Sequence, residues 1–199
     1  MRTVRVLLLS GSLRDGSTNT AVLRTVATVA PQGVQTAMYE GMASLPHFNP
    51  DDDPEGGPVD PAVASMRAEM HAADALLICT PEYAGALPGS LKNVLEWTVG
   101  DASTYRKPVA WINASSVAAP TGGADAHASL QKVLAYVGAD IVEDAIVRLP
   151  VPRAAIGSDG LIAGAGVREQ LRASIATLAA HVRDRPTPEG LEPERHQPA

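Results

Sequence analysis

A stretch near the amino terminus combines the residue types that bind a phosphate group. An apolar run at residues 4–9 ends in the sequence SGSLRDGSTN at positions 10–19, and a helical pattern of apolar residues begins at Ala21. This order indicates a strand, a loop and the start of a helix. The N–H groups and the dipole of a helix's first turn favour an anion, and the Arg14 guanidinium can hold two phosphate oxygens. The loop is therefore predicted to bind phosphate.

Three better-known phosphate loops do not match this stretch. A Walker A loop has the spacing of Gly11 and Gly16 but requires a lysine where Ser17 stands. The dinucleotide motif G-x-G-x-x-G is absent, and Cys79 is not followed at the right distance by the arginine of a low-molecular-weight phosphatase. What remains is a hydroxyl-rich loop for a phosphate monoester, with a loop that only caps a helix through Ser17 or Thr18 as the alternative.

A second loop follows another apolar run. Residues 75–79 suit a strand that is covered on both faces, and the sequence TPEYAGALPGSLKN follows at positions 80–93. Its prolines stiffen the loop and its glycines let other groups approach closely, while Tyr83 offers a flat face with a polar tip. Open parallel sheets bind ligands beyond the carboxyl ends of their strands. Two such loops suit a ligand with a phosphate at one end and a flat ring at the other.

Together the two loops resemble those of a known family. The patterns GSLRxxSxN at positions 11–19 and PEYxGxxPGxLKN at positions 81–93 are similar to the NADPH-dependent FMN reductase family, and the resemblance extends over about residues 1–180. It implies the activities of that family, which includes quinone, azo-dye and chromate reductases. It also implies FMN as the cofactor, NADPH or NADH as the reductant and a small molecule as the electron acceptor.

The resemblance assigns a part of the flavin to each loop. The first loop would hold the FMN phosphate, the second would lie against the isoalloxazine ring, and a third would follow the fourth strand. The implied FMN-binding residues are Ser10, Ser12, Arg14, Ser17, Thr18, Asn19, Pro81, Glu82, Tyr83, Ala84, Gly85, Ser115, Ser116, Gly122 and Gly123. Many members carry asparagine where Ala84 stands, so a side-chain hydrogen bond to the flavin is lost. No catalytic side chain and no metal are implied, because the flavin carries the chemistry.

The elements that position these loops alternate along the chain. Strands are predicted at residues 4–9, 34–38, 75–79, 108–113 and 140–147, and helices at 19–30, 59–73, 89–99, 124–137 and 166–184. Such alternation predicts an α/β fold with a doubly wound parallel sheet. Five strands fit the three-layer flavodoxin-like arrangement in the order 2-1-3-4-5. One domain is expected at residues 1–185, followed by a disordered tail at 186–199.

Composition argues against several other classes of protein. The chain has 199 residues, a net charge of −6 and one cysteine. The length fits one domain, the charge gives no support for nucleic-acid binding, and no apolar run is long enough to predict a membrane span. A single cysteine fits a reducing cytoplasm. We expect a solvated acidic loop at residues 51–53, a buried inert thiol at Cys79 and a structural role for Glu82.

The implied reaction is ping-pong, with NADPH reducing the bound FMN and an acceptor such as a quinone then taking the electrons. Arg14, or Arg106 and Lys107, are candidate contacts for the 2′-phosphate of NADPH. The alternative is a flavodoxin-like electron carrier that does not oxidise NADPH directly.

A homo-oligomer, either a dimer or a tetramer, is also expected. The helix after the second loop has more apolar residues than one core-facing stripe needs. These residues are Leu87, Leu91, Val94, Leu95 and Trp97. The family that the chain resembles pairs its subunits through this region.

Overall fold

One parallel sheet forms the middle layer of the protein. The structure, a computed structural model, describes residues 2–115 and 120–185, so the predicted tail at 186–199 lies outside the described residues. The strands are β1 (Val4–Ser10), β2 (Val34–Met38), β3 (Ala75–Cys79), β4 (Pro108–Asn113), β5 (Asp140–Ile141) and β6 (Val147–Arg148). The α-helices are α1 (Thr18–Val29), α2 (Pro61–Ala72), α3 (Gly89–Glu96), α4 (Ala124–Tyr136) and α5 (Ala165–Asp184).

The strand order confirms the flavodoxin-like α/β fold. The strands lie in the order β2-β1-β3-β4-β5, and their pairings are parallel. The chain therefore reverses its direction of winding between β1 and β3. Ser10 at the end of β1 is paired with Cys79 at the end of β3. The two loops of the sequence motifs thus leave the sheet side by side.

The predicted strand at residues 140–147 is wrong in its extent. Two short strands, β5 and β6, take its place, and both pair with β4, so the sheet has six strands instead of five. A 3-10 turn, Glu143–Ala145, separates them. Its two acidic residues face solvent, while Val142 and Ala145 beside them are buried. The turn therefore keeps charges in water and apolar side chains in the core, which a continuous strand would not do here.

Helices cover both faces of the sheet, as the three-layer prediction requires. Helices α1 and α5 pack on one face with Leu8 and Leu77, and helices α2, α3 and α4 pack on the other with Leu7 and Leu76. Successive side chains of a strand point to opposite faces. A strand between two helical layers therefore needs apolar residues at every position, which explains why β3 is buried along its whole length.

Helix α3 does not expose the apolar surface that the sequence suggested. All five apolar residues named above, three in the helix and two beside it, are buried within the subunit. The segment at residues 46–48 packs against the helix, with the Phe48 ring 5.0 Å from the Trp97 ring and the Trp97 indole N–H donating to the Pro46 carbonyl at 2.9 Å. The Asn93 side chain binds the same segment through two further hydrogen bonds. The apolar excess is therefore no argument for a subunit interface at this helix, and the oligomer stays a prediction.

Candidate functional site

Three loops leave the carboxyl ends of the neighbouring strands β1, β3 and β4. We call residues 11–17 the first loop, residues 80–88 the second loop and residues 114–123 the third loop. The predicted site residues lie in these loops or in the elements that flank them, apart from Ser116, which lies outside the described residues. The three motifs of the sequence therefore meet at one edge of the sheet.

The first and second loops touch where they leave the sheet. The Gly11 N–H donates to the Cys79 carbonyl at 2.9 Å, which continues the β1–β3 ladder by one bond. A Cβ added to Gly11 would lie 2.1 Å from Thr80 Oγ1, so only glycine fits. Sequence analysis did not assign a role to Thr80, although its place directly after the buried strand was a signal. This contact sets the position of the two loops relative to each other.

The amino terminus of α1 suits an external anion. Ser17 stands at the N-cap position, but its side chain accepts no hydrogen bond from the helix, and Ser17 is only 6% exposed. Thr18 lies inside the helix, and the first turn contains no acidic residue. The N–H groups of that turn and the positive end of the helix dipole therefore favour a phosphate. Neither phosphate binding nor the alternative of a loop that only caps its own helix is tested by this geometry, although Ser17 at the N-cap makes no side-chain hydrogen bond to the helix.

Other polar residues brace the first loop. Ser10 Oγ lies 2.8 Å from Thr20 Oγ1, which ties the end of β1 to the first turn of α1. Ser12 Oγ accepts a hydrogen bond from the Arg14 N–H at 3.3 Å. The Arg14 side chain is exposed, so its guanidinium is accessible to a ligand.

Asn19 joins α1 to the end of β3. The Cys79 thiol donates to Asn19 Oδ1 at 3.2 Å. Burial raises the pKa of the Cys79 thiol well above its usual range, so the sulfur stays protonated and weakly reactive. The prediction of a buried inert thiol is confirmed, and Asn19 keeps its side-chain N–H groups as donors.

The second loop contains a tight turn at its tip. The Tyr83 and Ala86 main chains exchange two hydrogen bonds of 3.0 and 3.1 Å. Between them Ala84 has φ +51° and Gly85 has φ +72°, the left-handed pair of a type I′ turn. A Cβ added to Gly85 would meet no atom within 4 Å, and Tyr83 is 50% exposed. The tip of the turn therefore borders open space, where a flat ring has access.

Glu82 connects the second loop to the third. Its Oε2 atom accepts hydrogen bonds from the Thr121 hydroxyl at 2.6 Å and from the Asp125 and Ala126 N–H groups at 3.1 and 3.3 Å. The Thr121 hydroxyl is the main cause that lowers the pKa of Glu82, and the two N–H groups lower it further. Glu82 therefore caps helix α4 as a carboxylate, and the prediction of a structural role is confirmed.

The third loop is shaped by two consecutive glycines. Gly122 has φ +60° and Gly123 has φ +80°, a conformation that other residues adopt at a cost. Asn113, at the end of β4, donates to the Gly122 carbonyl at 2.9 Å and accepts from the Ser115 N–H at 2.9 Å. A Cβ on Gly123 would lie 2.3 Å from Ser115 Oγ. Sequence analysis gave no role to Asn113 or Thr121, because their partners are distant or lie in loops.

His127 lies directly behind the third loop and was also missed. Its ring stacks on the Trp111 indole with centroids 6.3 Å apart, and neither ring nitrogen has a hydrogen-bond partner in the described part of the chain. Burial, with the Arg148 charge second, lowers the pKa of His127 to about 4. The ring is therefore neutral at pH 7 and contributes packing rather than charge.

The suggestion that Arg106 and Lys107 bind NADPH is wrong for Lys107. Its ammonium group donates to the Met70 and Ala73 carbonyls at 2.7 and 2.6 Å, so it caps the end of α2. Both residues directly precede β4, which begins at Pro108. They therefore lie at the amino edge of the sheet, opposite the three loops.

The remaining candidates for a metal site and for a membrane span are the acidic loop and the long helices. Residues 2–115 and 120–185 contain no cluster of three His, Cys, Asp or Glu side chains that could hold a metal. In the acidic loop Asp51 and Asp52 are exposed, while Asp53 pairs with Arg67 at 2.7 Å. None of the helices in the same ranges is both long and apolar enough to cross a membrane.

Comparisons with known proteins decide the family. A family model described as NADPH-dependent FMN reductase matches residues 4–150. The chain belongs to the NADPH-dependent FMN reductase family. It is 31% identical over 182 residues to an NAD(P)H-dependent FMN reductase of Pseudomonas aeruginosa, covering 90% of this chain and 96% of the relative. It is 33% identical over 141 residues to a quinone reductase of Escherichia coli strain K12, covering 70% of this chain and 73% of the relative.

Solved structures agree with this assignment. The flavoenzyme NAD(P)H:(acceptor) oxidoreductase FerB of Paracoccus denitrificans matches with a TM-score of 0.68 at 26% identity, covering 90% of this chain and 99% of that chain. A flavodoxin of Pseudomonas aeruginosa matches with a TM-score of 0.57 at 17% identity, covering 90% and 99%, which shows a shared fold alone. The predicted family and enzyme class, an oxidoreductase, are confirmed, and FMN with NADPH or NADH are its cofactors.

The residues at the site fit FMN. The Ser17 hydroxyl and the N–H groups of the first turn of α1 can donate hydrogen bonds to a phosphate. The turn at Ala84 and Gly85 leaves space for a ring beside Tyr83. Both parts of the site follow the paired strands β1 and β3, so they lie at the same edge of the sheet. The individual contacts of the predicted FMN-binding residues stay a prediction.

The turn at the tip of the second loop gives a first prediction. Asparagine tolerates the left-handed region better than alanine, so Ala84→Asn should stabilise the protein by about 0.5–1 kcal/mol and raise Tm by about 1–4 °C. Thermal and urea unfolding measure the change. The matched control is Ala86→Asn, because Ala86 does not have a positive φ and should gain nothing. An equal gain at both positions would show that strain at Ala84 is not the cause.

The cap formed by Glu82 gives a second prediction, on pH dependence. Because the folded protein lowers the pKa of Glu82 from 4.5, its stabilising effect is complete above that value and is lost as the pH falls through the lowered value. Glu82→Ala should therefore lower Tm by a constant amount between pH 8 and pH 5, and the difference should shrink below about pH 4.5. Glu82→Gln, which can still accept hydrogen bonds, should lose less. A difference that stays constant down to pH 3 would rule out the ionised cap.

Proposed function

We propose that this protein transfers electrons from NADPH or NADH through bound FMN to a small acceptor such as a quinone. The observation that carries the proposal is the pairing of an anion-binding helix terminus with an exposed turn at one edge of the sheet. The names of the relatives from Pseudomonas aeruginosa and Escherichia coli support the reductant and the class of acceptor. When bound, FMN supplies the two-electron chemistry.

The side chains of the site bind and orient. The first loop and α1 hold the phosphate, while the second and third loops set the position of the ring. Tyr83 and the small residues Ala84 and Gly85 border the ring without covering it, because the tip of the second loop is open. A nicotinamide must come within about 3–3.5 Å of the reacting atom, so an open face is what direct reduction requires. The same face would then admit the acceptor, which supports a ping-pong order.

The rival function is a one-electron carrier. The first loop lacks the T-x-T-G-x-T pattern expected of a flavodoxin phosphate loop, and no Trp or Phe lies in the second loop to enclose the flavin. The likeness to flavodoxin structures concerns the fold alone. A carrier is therefore the second choice, and kinetics separate the two.

Anaerobic stopped-flow mixing tests the proposed function. NADPH or NADH should bleach the FMN absorbance of the loaded protein directly, without a partner protein. Steady-state assays with a soluble quinone should give parallel double-reciprocal lines. If both nucleotides left the flavin oxidised while a separate reductase passed it single electrons, the protein would be a carrier instead.

We also propose that the chain forms a homo-oligomer in a reducing compartment such as the cytoplasm, which its single, buried cysteine suits. Two tyrosines near the end of α4 support association: Tyr136 is 88% exposed and Tyr105 is 62% exposed. The Tyr105 ring lies against Gly138, two residues beyond Tyr136. Together they place a large amount of aromatic surface in water, which is typical of a contact site.

Light scattering at micromolar concentration should give a mass of two or four times the 20.7 kDa of one chain. Tyr136→Asp should lower that mass, because a charge would be buried in the contact. The matched control is Gln131→Asp, at an exposed position of the same helix that lies about 140° around the helix axis from Tyr136. A mass of one chain for the unmodified protein would refute the oligomer.

A further inference from the structure

A second guanidinium lies beside the first loop. A Cβ built on Gly16 would be 3.5 Å from Arg153 Nη2. Gly16 directly precedes Ser17, the residue before α1. The Arg153 guanidinium therefore lies next to the end of the helix that suits a phosphate. Arg153 belongs to none of the three loops and lies beyond the part of the chain that the family model matches.

The segment that carries Arg153 is held on both sides. Before it, the Leu149 N–H donates to the carbonyl of Asn113 at 2.7 Å, which extends the pairing of β6 with β4. After it, the Ile162 N–H donates to the buried Thr25 hydroxyl of α1 at 2.9 Å. The main chain at Arg153 is therefore fixed relative to both the sheet and α1. Such anchoring lowers the main-chain entropy that would otherwise be lost when the segment binds a ligand.

The charges of the first loop leave a phosphate incompletely balanced. A phosphate monoester carries about 1.5–2 negative charges at neutral pH, and a helix amino terminus supplies about half a positive charge. Arg14 adds one positive charge, but Asp15 beside it is the only acid between Gly11 and Thr20 and opposes it. A second cation near Gly16 supplies what the first loop lacks.

We propose that Arg153 binds the phosphate of FMN together with Arg14, and that its guanidinium approaches the phosphate beside the turn of the first loop at Gly16. The proposal rests on the proposed placement of the phosphate at the first loop. Arg153 would thereby make the protein select FMN over riboflavin, which has the same ring and no phosphate.

Flavin titrations of the apoprotein test the proposal. Fluorescence quenching should show that Arg153→Ala weakens FMN binding by about three- to tenfold and changes riboflavin binding by less than about twofold. Arg153→Lys should retain part of the FMN affinity, since it keeps the charge but not the two-pronged contact. Raising the salt concentration should weaken FMN binding less in Arg153→Ala than in the unmodified protein. The control is Arg24→Ala, which removes an exposed charge from α1 beyond its first turn.

Arg14→Ala, measured in parallel, separates the inference about Arg153 from the proposed placement of the phosphate at the first loop. If it lowers the preference for FMN over riboflavin while Arg153→Ala does not, Arg153 does not bind the phosphate and only this inference is wrong. If neither variant changes the preference, the first loop does not hold the phosphate and the proposed site is wrong as well. Equal losses of FMN and riboflavin in Arg153→Ala, or a raised KM for NADPH with unchanged FMN affinity, would also overturn the inference.

Discussion

The whole site depends on the close contact between Gly11 and Thr80, where the chain leaves the sheet. One hydrogen bond from Gly11 to the Cys79 carbonyl continues the β1–β3 ladder into the loops, and the absence of a side chain lets the two main chains stay at that distance. The distance between the starts of the first and second loops is therefore set by the spacing of two parallel strands. Because both strands are buried between layers of helices, this spacing is rigid.

Contacts between the loops extend that rigidity over the rest of the site. Glu82 ties the second loop to Thr121 and the start of α4, and Asn113 ties the third loop to β4. The ends of the second loop's turn are likewise held, by the paired hydrogen bonds of Tyr83 and Ala86. These bonds can hold Ala84 in the left-handed conformation, which costs a residue other than glycine or asparagine about 1–2 kcal/mol. A preorganised site loses less entropy when its ligand binds.

Periodicity and turn chemistry were enough to predict most of the fold. The buried strands and amphipathic helices lie within a few residues of their predicted bounds, because local apolar patterns reflect which faces are covered. The errors arose where distant parts of the chain decide the outcome. The Glu143–Ala145 turn forms because apolar side chains next to β4 enter the core while the acidic ones stay in solvent. A further side of α3 is covered by residues 46–48, which are distant in the sequence.

The same distinction applies to the site. The hydroxyl-rich loop and the Pro-Glu-Tyr motif could be recognised because each is a continuous stretch after a buried strand. The partners of Glu82 could not be predicted, since a carboxylate shows its role only when the N–H groups that it caps are placed beside it. Arg153 is similar, because only the path of the chain after β6 brings it to Gly16.

Electrostatics then explains how an acidic chain can bind two anionic cofactors. A net charge of −6 repels phosphates at long range, but salt screens that repulsion beyond about 8–10 Å, so the charges next to the ligand decide. At the first loop they are the helix terminus, Arg14 and Arg153, with Asp15 opposing them in part. The nearest acid of the second loop, Glu82, is turned toward α4, where three donors and the positive end of that helix offset its charge. The Glu82 carboxylate can therefore lie at the edge of the candidate site without strongly repelling an anionic cofactor.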